Sequence, residues 1–126
     1  MRNGAINARL LAMEGEKYNK LVKRIKSFCE ARDWSQFHDP KNLAISLQLE
    51  ASEVLELFQW TKDNQVKPGK REEISDELAD VLYWLIMMAN HYNIDLVEAL
   101  EKKMDKNELK YPVDKAKGNP TKYTEL

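Results

Sequence analysis

The 126-residue chain is long enough for one domain with a single core, and its net charge of −1, from 20 basic and 21 acidic residues, argues against a nucleic-acid-binding surface. No apolar run approaches the roughly 18 residues of a membrane span, and the first residues lack the apolar core of a signal peptide. Cys29 is the only cysteine, so we expect no disulfide within the chain, which suits a reducing compartment. Together, these features predict a cytoplasmic protein that contacts no membrane.

The first third of the chain predicts an amphipathic helix behind a loose segment. Residues 1–15 show no sustained hydrophobic period, and we expect a loose N-terminal arm there. From residue 16 to about Arg32, apolar side chains recur at spacings of three and four, which predicts a helix. A loop containing Trp34 follows, and Asp39-Pro40 supplies a cap and a first helical residue for the next helix.

Two central helices are predicted over residues 40–61 and 71–91. The connection between them contains Pro68-Gly69, a dipeptide typical of an exposed turn. Apolar residues cover so much of the circumference of both helices that one neighbouring helix could not bury them all. We therefore expect a packed bundle that is completed by oligomerisation.

A fourth helix is predicted to begin after Asp95, because Glu98 follows it at the spacing of a capping box, and to end before Pro112. The remaining residues show no helical period, and no stretch of the chain alternates at period two for long enough to form a strand. The sequence thus predicts an all-α four-helix bundle, with an arm at 1–15, a helical domain at 16–112 and a tail at 113–126.

Carboxylates stand on the apolar faces of both central helices. Glu50 and Glu53 share a helical face with Leu47, and Glu77 and Asp80 repeat the same spacing on an apolar face of the next helix. Ionised carboxylates seldom stay buried without a partner. Four oxygen-bearing side chains from two helices suit a hard divalent cation, Mg²⁺ or Mn²⁺.

Polar residues also line one end of the inward face of the fourth helix. Lys103, Asn107 and Tyr111 follow one another at steps of four, in line with the apolar Ala99. Polar groups therefore replace apolar ones at one end of an inward face, and a lysine, an amide and a phenol offer hydrogen-bond donors there.

The acid pairs, Glu-x-x-Glu and Glu-x-x-Asp, resemble the signature of the MazG-like all-α nucleoside triphosphate pyrophosphohydrolases. The resemblance extends over about three quarters of the chain and is closest to the dCTP pyrophosphatase branch. The segments that carry it are Trp-Ser-Gln-Phe-His, Glu-Leu-Phe-Gln-Trp, Asp-Glu-Leu-Ala-Asp-Val-Leu, Lys-Met-Asp-Lys-Asn and Lys-Tyr-Pro-Val.

This resemblance implies Mg²⁺-dependent hydrolysis of a (deoxy)nucleoside triphosphate, similar to dCTP, which yields the monophosphate and pyrophosphate. The role that it implies is the removal of unwanted nucleotides from the cellular pool. The resemblance also implies a tetramer built from two dimers. The residues that match the family's functional positions are, for the metal, Glu50, Glu53, Glu77 and Asp80; for the phosphates, Lys103, Asn107 and Tyr111; and for the base, Trp34, Trp60 and Trp84. Spacing does not decide which carboxylate takes the proton from the attacking water, and we assign that role to Glu53.

Two other classes of function remain open. A helical bundle related to these enzymes could bind a nucleotide or a protein without turnover, although the intact acids argue against this. A di-iron carboxylate protein would need Glu-x-x-His on facing helices, a spacing that the sequence lacks. Within the enzyme class, phosphoribosyl-ATP pyrophosphohydrolase and dimeric dUTPase carry similar acids, but the Trp-Ser-Gln-Phe-His and Lys-Tyr-Pro-Val segments favour the dCTP-type branch.

Overall fold

The structure, a computed structural model, describes the backbone of residues 2–62 and 69–126 and the side chains from residue 15 onward within those ranges. Its α-helices are α1 (Arg2–Glu30), α2 (Pro40–Glu56), α3 (Arg71–His91), α4 (Leu96–Lys110) and α5 (Val113–Ala116), with short 3₁₀ segments at Trp34–Phe37 and Tyr123–Glu125. No strand occurs in the described ranges, so the all-α prediction is confirmed. The predicted turn at Pro68 lies outside the described residues.

Local capping explains where α2 and α4 begin. The Asp39 side chain accepts a hydrogen bond from the Asn42 backbone N–H at 2.9 Å, and Pro40 occupies the first helical position. The Asp95 carboxylate accepts from the N–H groups of Val97 and Glu98 at 2.9 and 3.0 Å. Both predicted starts are therefore confirmed, as are the predicted limits of α3.

The N-terminal segment is helical rather than loose. The backbone of α1 continues from Arg2 to Glu30, so the expectation of a loose arm at residues 1–15 was wrong for the described part of that segment. Gly4 and Gly15 each cost a helix about 1 kcal/mol relative to alanine, but neither imposes an end. The residues between them include the strong helix formers alanine, leucine, methionine and glutamate, so local propensity favours the helix even without a regular apolar stripe.

The second helix is shorter than predicted, because it ends at Glu56 instead of continuing to about residue 61. Residues 57–60 form turns in which Phe58 N–H donates to the Leu55 carbonyl and Thr61 N–H donates to the Phe58 carbonyl. Trp60 has a backbone φ of 65°. This left-handed conformation is unfavourable for an aromatic residue and cannot belong to a continuing α-helix.

The C-terminal segment also contains more regular structure than its sequence pattern indicated. Pro112 caps the four-residue helix α5, and a 3₁₀ turn follows at Tyr123–Glu125. A single helical turn is too short to show a hydrophobic period, which is why the sequence predicted only an irregular tail.

The chain consists of two compact units, Met1–Met88 and Ala89–Leu126. In the first unit, the buried apolar side chains come from three helices and are Ile25, Cys29, Leu43 and Ile86. The Sγ atom of Cys29 lies 3.1 Å from the Tyr83 hydroxyl, which ties α1 to α3. The division into arm, catalytic domain and tail made from the sequence stays a prediction.

The second unit is organised around the turn between α3 and α4 and around the C-terminal aromatic residues. The Ile94 N–H donates to the Ala89 carbonyl at 2.8 Å, which closes the turn. The rings of Tyr111 and Tyr123 meet edge to face at 5.8 Å between centroids, and the Lys110 ammonium lies 4.7 Å from the centre of the Tyr123 ring. Across both units, none of the described helices is long and apolar enough to cross a membrane.

Candidate functional site

Three of the four predicted acids come together in the first unit. Glu50 and Glu53 project from successive turns of α2, and Glu77 comes from α3. One carboxylate oxygen from each of these side chains lies within 4.8 Å of the other two. We refer to Glu50, Glu53 and Glu77 as the acid cluster. Asp80, one turn after Glu77, lies outside this closest group.

Glu77 is the member of the acid cluster with a buried, unpaired carboxylate oxygen among the described residues. Its Oε2 atom is buried and has no hydrogen-bond partner among the described residues. Burial raises the pKa of Glu77, and the neighbouring carboxylates of Glu53, Asp80 and Glu50 raise it further. In the described part of the chain, the ion pairs are Lys70–Glu73 and Lys102–Glu98, so no lysine or arginine there neutralises the cluster.

An unpaired, partly buried carboxylate oxygen beside two other carboxylates is unfavourable in the protein alone, because burial and repulsion both disfavour the ionised form. A divalent cation removes both penalties at once, since it neutralises charge and accepts oxygen ligands. The residues present therefore fit such a cation. Glu50, Glu53 and Glu77 offer three oxygen donors, and Asp80 is placed to offer a fourth from the next turn of α3.

A cavity of about 450 Å³ adjoins these acids within the first unit. Two of its lining residues are carboxylates and most of the others are apolar or aromatic: Leu21, Arg24, Ile25, Phe28, Trp34, Glu50, Asp80, Tyr83 and Trp84. This volume lies in the range of small-molecule sites, which are usually apolar with a few polar groups that fix orientation. The arrangement offers an apolar, aromatic wall to one part of a ligand and carboxylates to another.

Trp84 joins the two parts of this site. Its indole Nε1–H donates to Glu50 Oε1 at 3.4 Å, at the long end of hydrogen-bond distances. Its ring also packs edge to face against Tyr83 and His38, with centroid distances of 5.0 and 5.7 Å. These contacts fix the ring on the cavity wall, where the same side chain orients a carboxylate of the acid cluster.

The three predicted base-binding tryptophans are not all brought together. Trp34 and Trp84 line the cavity, and Trp34 packs edge to face on Phe28 at 5.6 Å. Trp60 is 91% exposed and is not among the described residues that line this cavity. Among the residues that the structure describes, no contact supports its predicted role.

Several cavity residues were not predicted as site residues from the sequence, which indicated only an amphipathic helix here. Leu21, Arg24, Ile25 and Phe28 recur at steps of three, one and three, so they share one side of that helix. The available signal was Arg24, a charged residue on an otherwise apolar face. Tyr83 was also missed, because an aromatic residue next to Trp84 on a central helix is usually part of a core.

The predicted phosphate-binding residues belong to the second unit. Lys103 and Asn107 lie one turn apart on α4, and Tyr111 ends that helix, its N–H donating to the Asn107 carbonyl at 2.9 Å. Lys103 is exposed and Asn107 is half-buried. The three residues follow one line along the helix, as expected, and their contact with phosphate stays a prediction.

The fold and site together define a class of protein: an all-α chain with a glutamate cluster of the kind that holds divalent cations, next to an aromatic cavity. The model of the MazG-like family matches residues 45–126. The chain belongs to the MazG-like family, and the resemblance inferred from its acid pairs is confirmed.

Comparison with individual proteins gives the same family assignment. The chain is 41% identical to mouse dCTP pyrophosphatase 1 over 111 residues, which is 83% of this chain and 65% of that protein. The human dCTP pyrophosphatase 1 gives the same identity and the same coverage. The chain thus spans just under two thirds of the length of these curated relatives. A crystal structure of a pyrophosphatase from Archaeoglobus fulgidus is 39% identical, covers 75% of this chain and 91% of its own, and superposes with a TM-score of 0.71.

Proposed function

We propose that this protein is a divalent-cation-dependent nucleoside triphosphate pyrophosphohydrolase, which cleaves a (deoxy)nucleoside triphosphate similar to dCTP into the monophosphate and pyrophosphate. The observation that carries the proposal is the acid cluster, whose oxygens converge to within 4.8 Å with no cationic side chain paired to them in the described ranges. Its position next to an aromatic cavity and the names of the relatives support the nucleotide as substrate.

The proposed cofactor is Mg²⁺, which Mn²⁺ can replace, held by Glu50, Glu53 and Glu77 with Asp80. When bound, such an ion neutralises phosphate charge and makes a water molecule more acidic. The chain's own part is to keep the carboxylates convergent: α2 and α3 fix their backbones, and Trp84 orients Glu50. Glu53, which is the exposed member of the acid cluster, is the one we propose accepts the proton from water.

The base would occupy the aromatic part of the cavity. Trp34 and Trp84 present ring surfaces there, and their rotation is limited by edge-to-face contacts with Phe28 and Tyr83, respectively. Stacking on fixed rings gives binding energy in the ground and transition states alike. We propose that Lys103, Asn107 and Tyr111 contact the phosphates and that Trp60 contributes to the base site.

We also propose a homo-oligomer, a tetramer of two dimers, in the cytoplasm. Large apolar side chains are exposed in this single chain, among them Leu49 at 60%, Leu55 at 72% and Leu78 at 54%. Contiguous exposed apolar surface commonly marks an interface. The nearly balanced charge gives no support to a nucleic-acid partner, and the single cysteine fits a reducing compartment.

The proposal is tested by incubating the protein with Mg²⁺ and a panel of ribo-, deoxy- and 5-modified nucleoside triphosphates, followed by ion-exchange separation of the products. We expect equimolar monophosphate and pyrophosphate, and no reaction when EDTA is present. Formation of diphosphate and inorganic phosphate would show a different reaction. Nucleotide binding without any turnover would instead support the non-catalytic bundle considered from the sequence.

A further inference from the structure

Arg24 is the charged residue on the apolar wall of the cavity. It lies on α1 between Leu21 and Phe28, at the helical spacing that places all three on the same side, and all three line the cavity. Among the described residues that line this cavity, Arg24 is the one cation. The other α1 cations whose side chains are described, such as Lys23, do not line the cavity.

The guanidinium of Arg24 has no ion pair, hydrogen bond or ring contact with any described residue. Arg32, which follows the end of α1, differs in this respect, because it donates to the Phe28 carbonyl at 3.1 Å and stacks 3.7 Å from the centre of the Phe28 ring. An arginine carries five N–H donors in a planar group. At Arg24 all five are available to a ligand.

Two of the other donors of the cavity are already engaged. The Trp84 indole N–H donates to Glu50, and the Tyr83 hydroxyl lies 3.1 Å from Cys29 Sγ. The acids Glu50 and Asp80 mark the part of the cavity where a cation and phosphates would bind, whereas Arg24 belongs to the wall formed by α1 and the aromatic residues. Under the proposed function, the part of the nucleotide that faces that wall is the base.

We propose that Arg24 is a specificity-determining residue that recognises cytosine by donating two parallel hydrogen bonds to ring N3 and carbonyl O2. This inference rests on the proposed function and extends it to the feature of the base that is recognised. Cytosine presents these two acceptors side by side. In uracil and thymine N3 carries a hydrogen, so a donor would face a donor, and one bond of the pair is lost. Substituents at C5 lie across the ring from O2 and leave this contact intact.

The test is the ratio of kcat/KM for dCTP to that for dUTP in the wild type, Arg24→Met, Arg24→Lys and Lys23→Met. Arg24→Met keeps a long apolar side chain, and Lys23→Met is the matched control on the adjacent, non-lining position. A bidentate contact to a base discriminates by roughly 5- to 150-fold. We expect Arg24→Met to lower the ratio by such a factor, because kcat/KM falls more for dCTP, which loses two hydrogen bonds, than for dUTP, which loses at most the one to O2. We expect Lys23→Met to leave the ratio unchanged.

Arg24→Lys separates recognition of the base from simple attraction of the triphosphate. Lysine keeps the charge but cannot form the paired bonds, so the ratio should stay close to that of Arg24→Met. If Arg24→Met lowered kcat/KM equally for dCTP and dUTP, and Arg24→Lys restored both values, the inference would be overturned in favour of a phosphate contact. Unchanged kinetics in all variants would place Arg24 on the solvated surface.

The outcome for Arg24 is distinguishable from that for the proposed function. If the wild type cleaves neither nucleotide, the proposed function fails, and calorimetric titration with dCTP and dUTP in Mg²⁺ measures the same preference as a ratio of Kd values. A preference for dCTP that disappears in Arg24→Met would then still support the inference. Equal affinity of the wild type for the two nucleotides, or no binding of either, would overturn it.

Discussion

Removing one charge from the acid cluster should stabilise the metal-free protein while abolishing the proposed hydrolysis. Glu53→Gln keeps the shape of the side chain and deletes its charge. Carboxylate oxygens of Glu50 and Glu53 lie within 4.8 Å of each other, where two unit charges repel by about 1 kcal/mol at the dielectric constant of water and about 3.5 kcal/mol at an effective value near 20. Because Glu53 is exposed, the lower figure is the appropriate one for this pair.

For a domain of this size, about 1 kcal/mol corresponds to a rise in Tm of roughly 3–6 °C. The assay is thermal unfolding at neutral pH with EDTA and again with Mg²⁺, alongside hydrolysis of dCTP. Mg²⁺ should raise the Tm of the wild type more than that of Glu53→Gln, because it binds the intact native site more tightly. Hydrolysis by the variant should fall by several orders of magnitude.

Glu56→Gln is the matched control, because Glu56 is an exposed glutamate on the next turn of α2 and is not a member of the acid cluster. Its Tm should change by no more than an amount equivalent to about 0.5 kcal/mol, with and without Mg²⁺. A Glu53→Gln protein that melts lower than the wild type under both conditions and remains fully active would refute the reasoning, since a structural role predicts that pattern.

Four further outcomes are expected. Trp84→Phe, which removes the donor to Glu50 but keeps a ring on the cavity wall, should weaken Mn²⁺ binding about tenfold, measured by calorimetry, whereas Trp34→Phe should leave it unchanged. Lys103→Ala should lower kcat/KM by an amount equivalent to about 2–3 kcal/mol, and unaltered kinetics would leave Lys103 without a phosphate contact. The raised pKa of Glu77 favours its protonated form in the native state, so the stability of the metal-free protein should fall as pH rises from about 4.5 through that native pKa, and urea titrations should show a smaller fall for Glu77→Gln. Sedimentation should give a stable species larger than the 14.7 kDa chain, and a monomer at micromolar concentration would contradict the proposed assembly.

Local signals in the sequence were sufficient for most of the fold. Asp39 and Asp95 fix helix starts through their own side chains, and such capping depends on residues only a few positions away. The ends that were predicted wrongly depend on weaker signals. Nothing between Glu56 and Trp60 resembles a helix stop, since no glycine or proline occurs there, and the left-handed conformation of Trp60 is not indicated by its residue type.

The sequence indicated the acidic side chains of the candidate site, but it did not indicate which acids lie closest together or which residues line the cavity. Spacing along one helix determines that Glu50 and Glu53 share a face, and the matching pair on α3 indicated the partner helix. Which acids approach most closely depends on the packing of α2 against α3, which periodicity does not specify. The same limit applies to the cavity, because the side of α1 that carries Arg24 is apolar whether it packs in a core or lines a ligand site.

The central claim is that the acid cluster binds a divalent cation. The most direct measurement is titration with Mn²⁺ followed by the loss of the free-ion electron paramagnetic resonance signal, for the wild type, Glu77→Gln and the control Glu56→Gln. We predict saturable binding by the wild type and by Glu56→Gln, and weakening by Glu77→Gln of at least tenfold. Equal binding by all three proteins, or none by the wild type, would contradict the account.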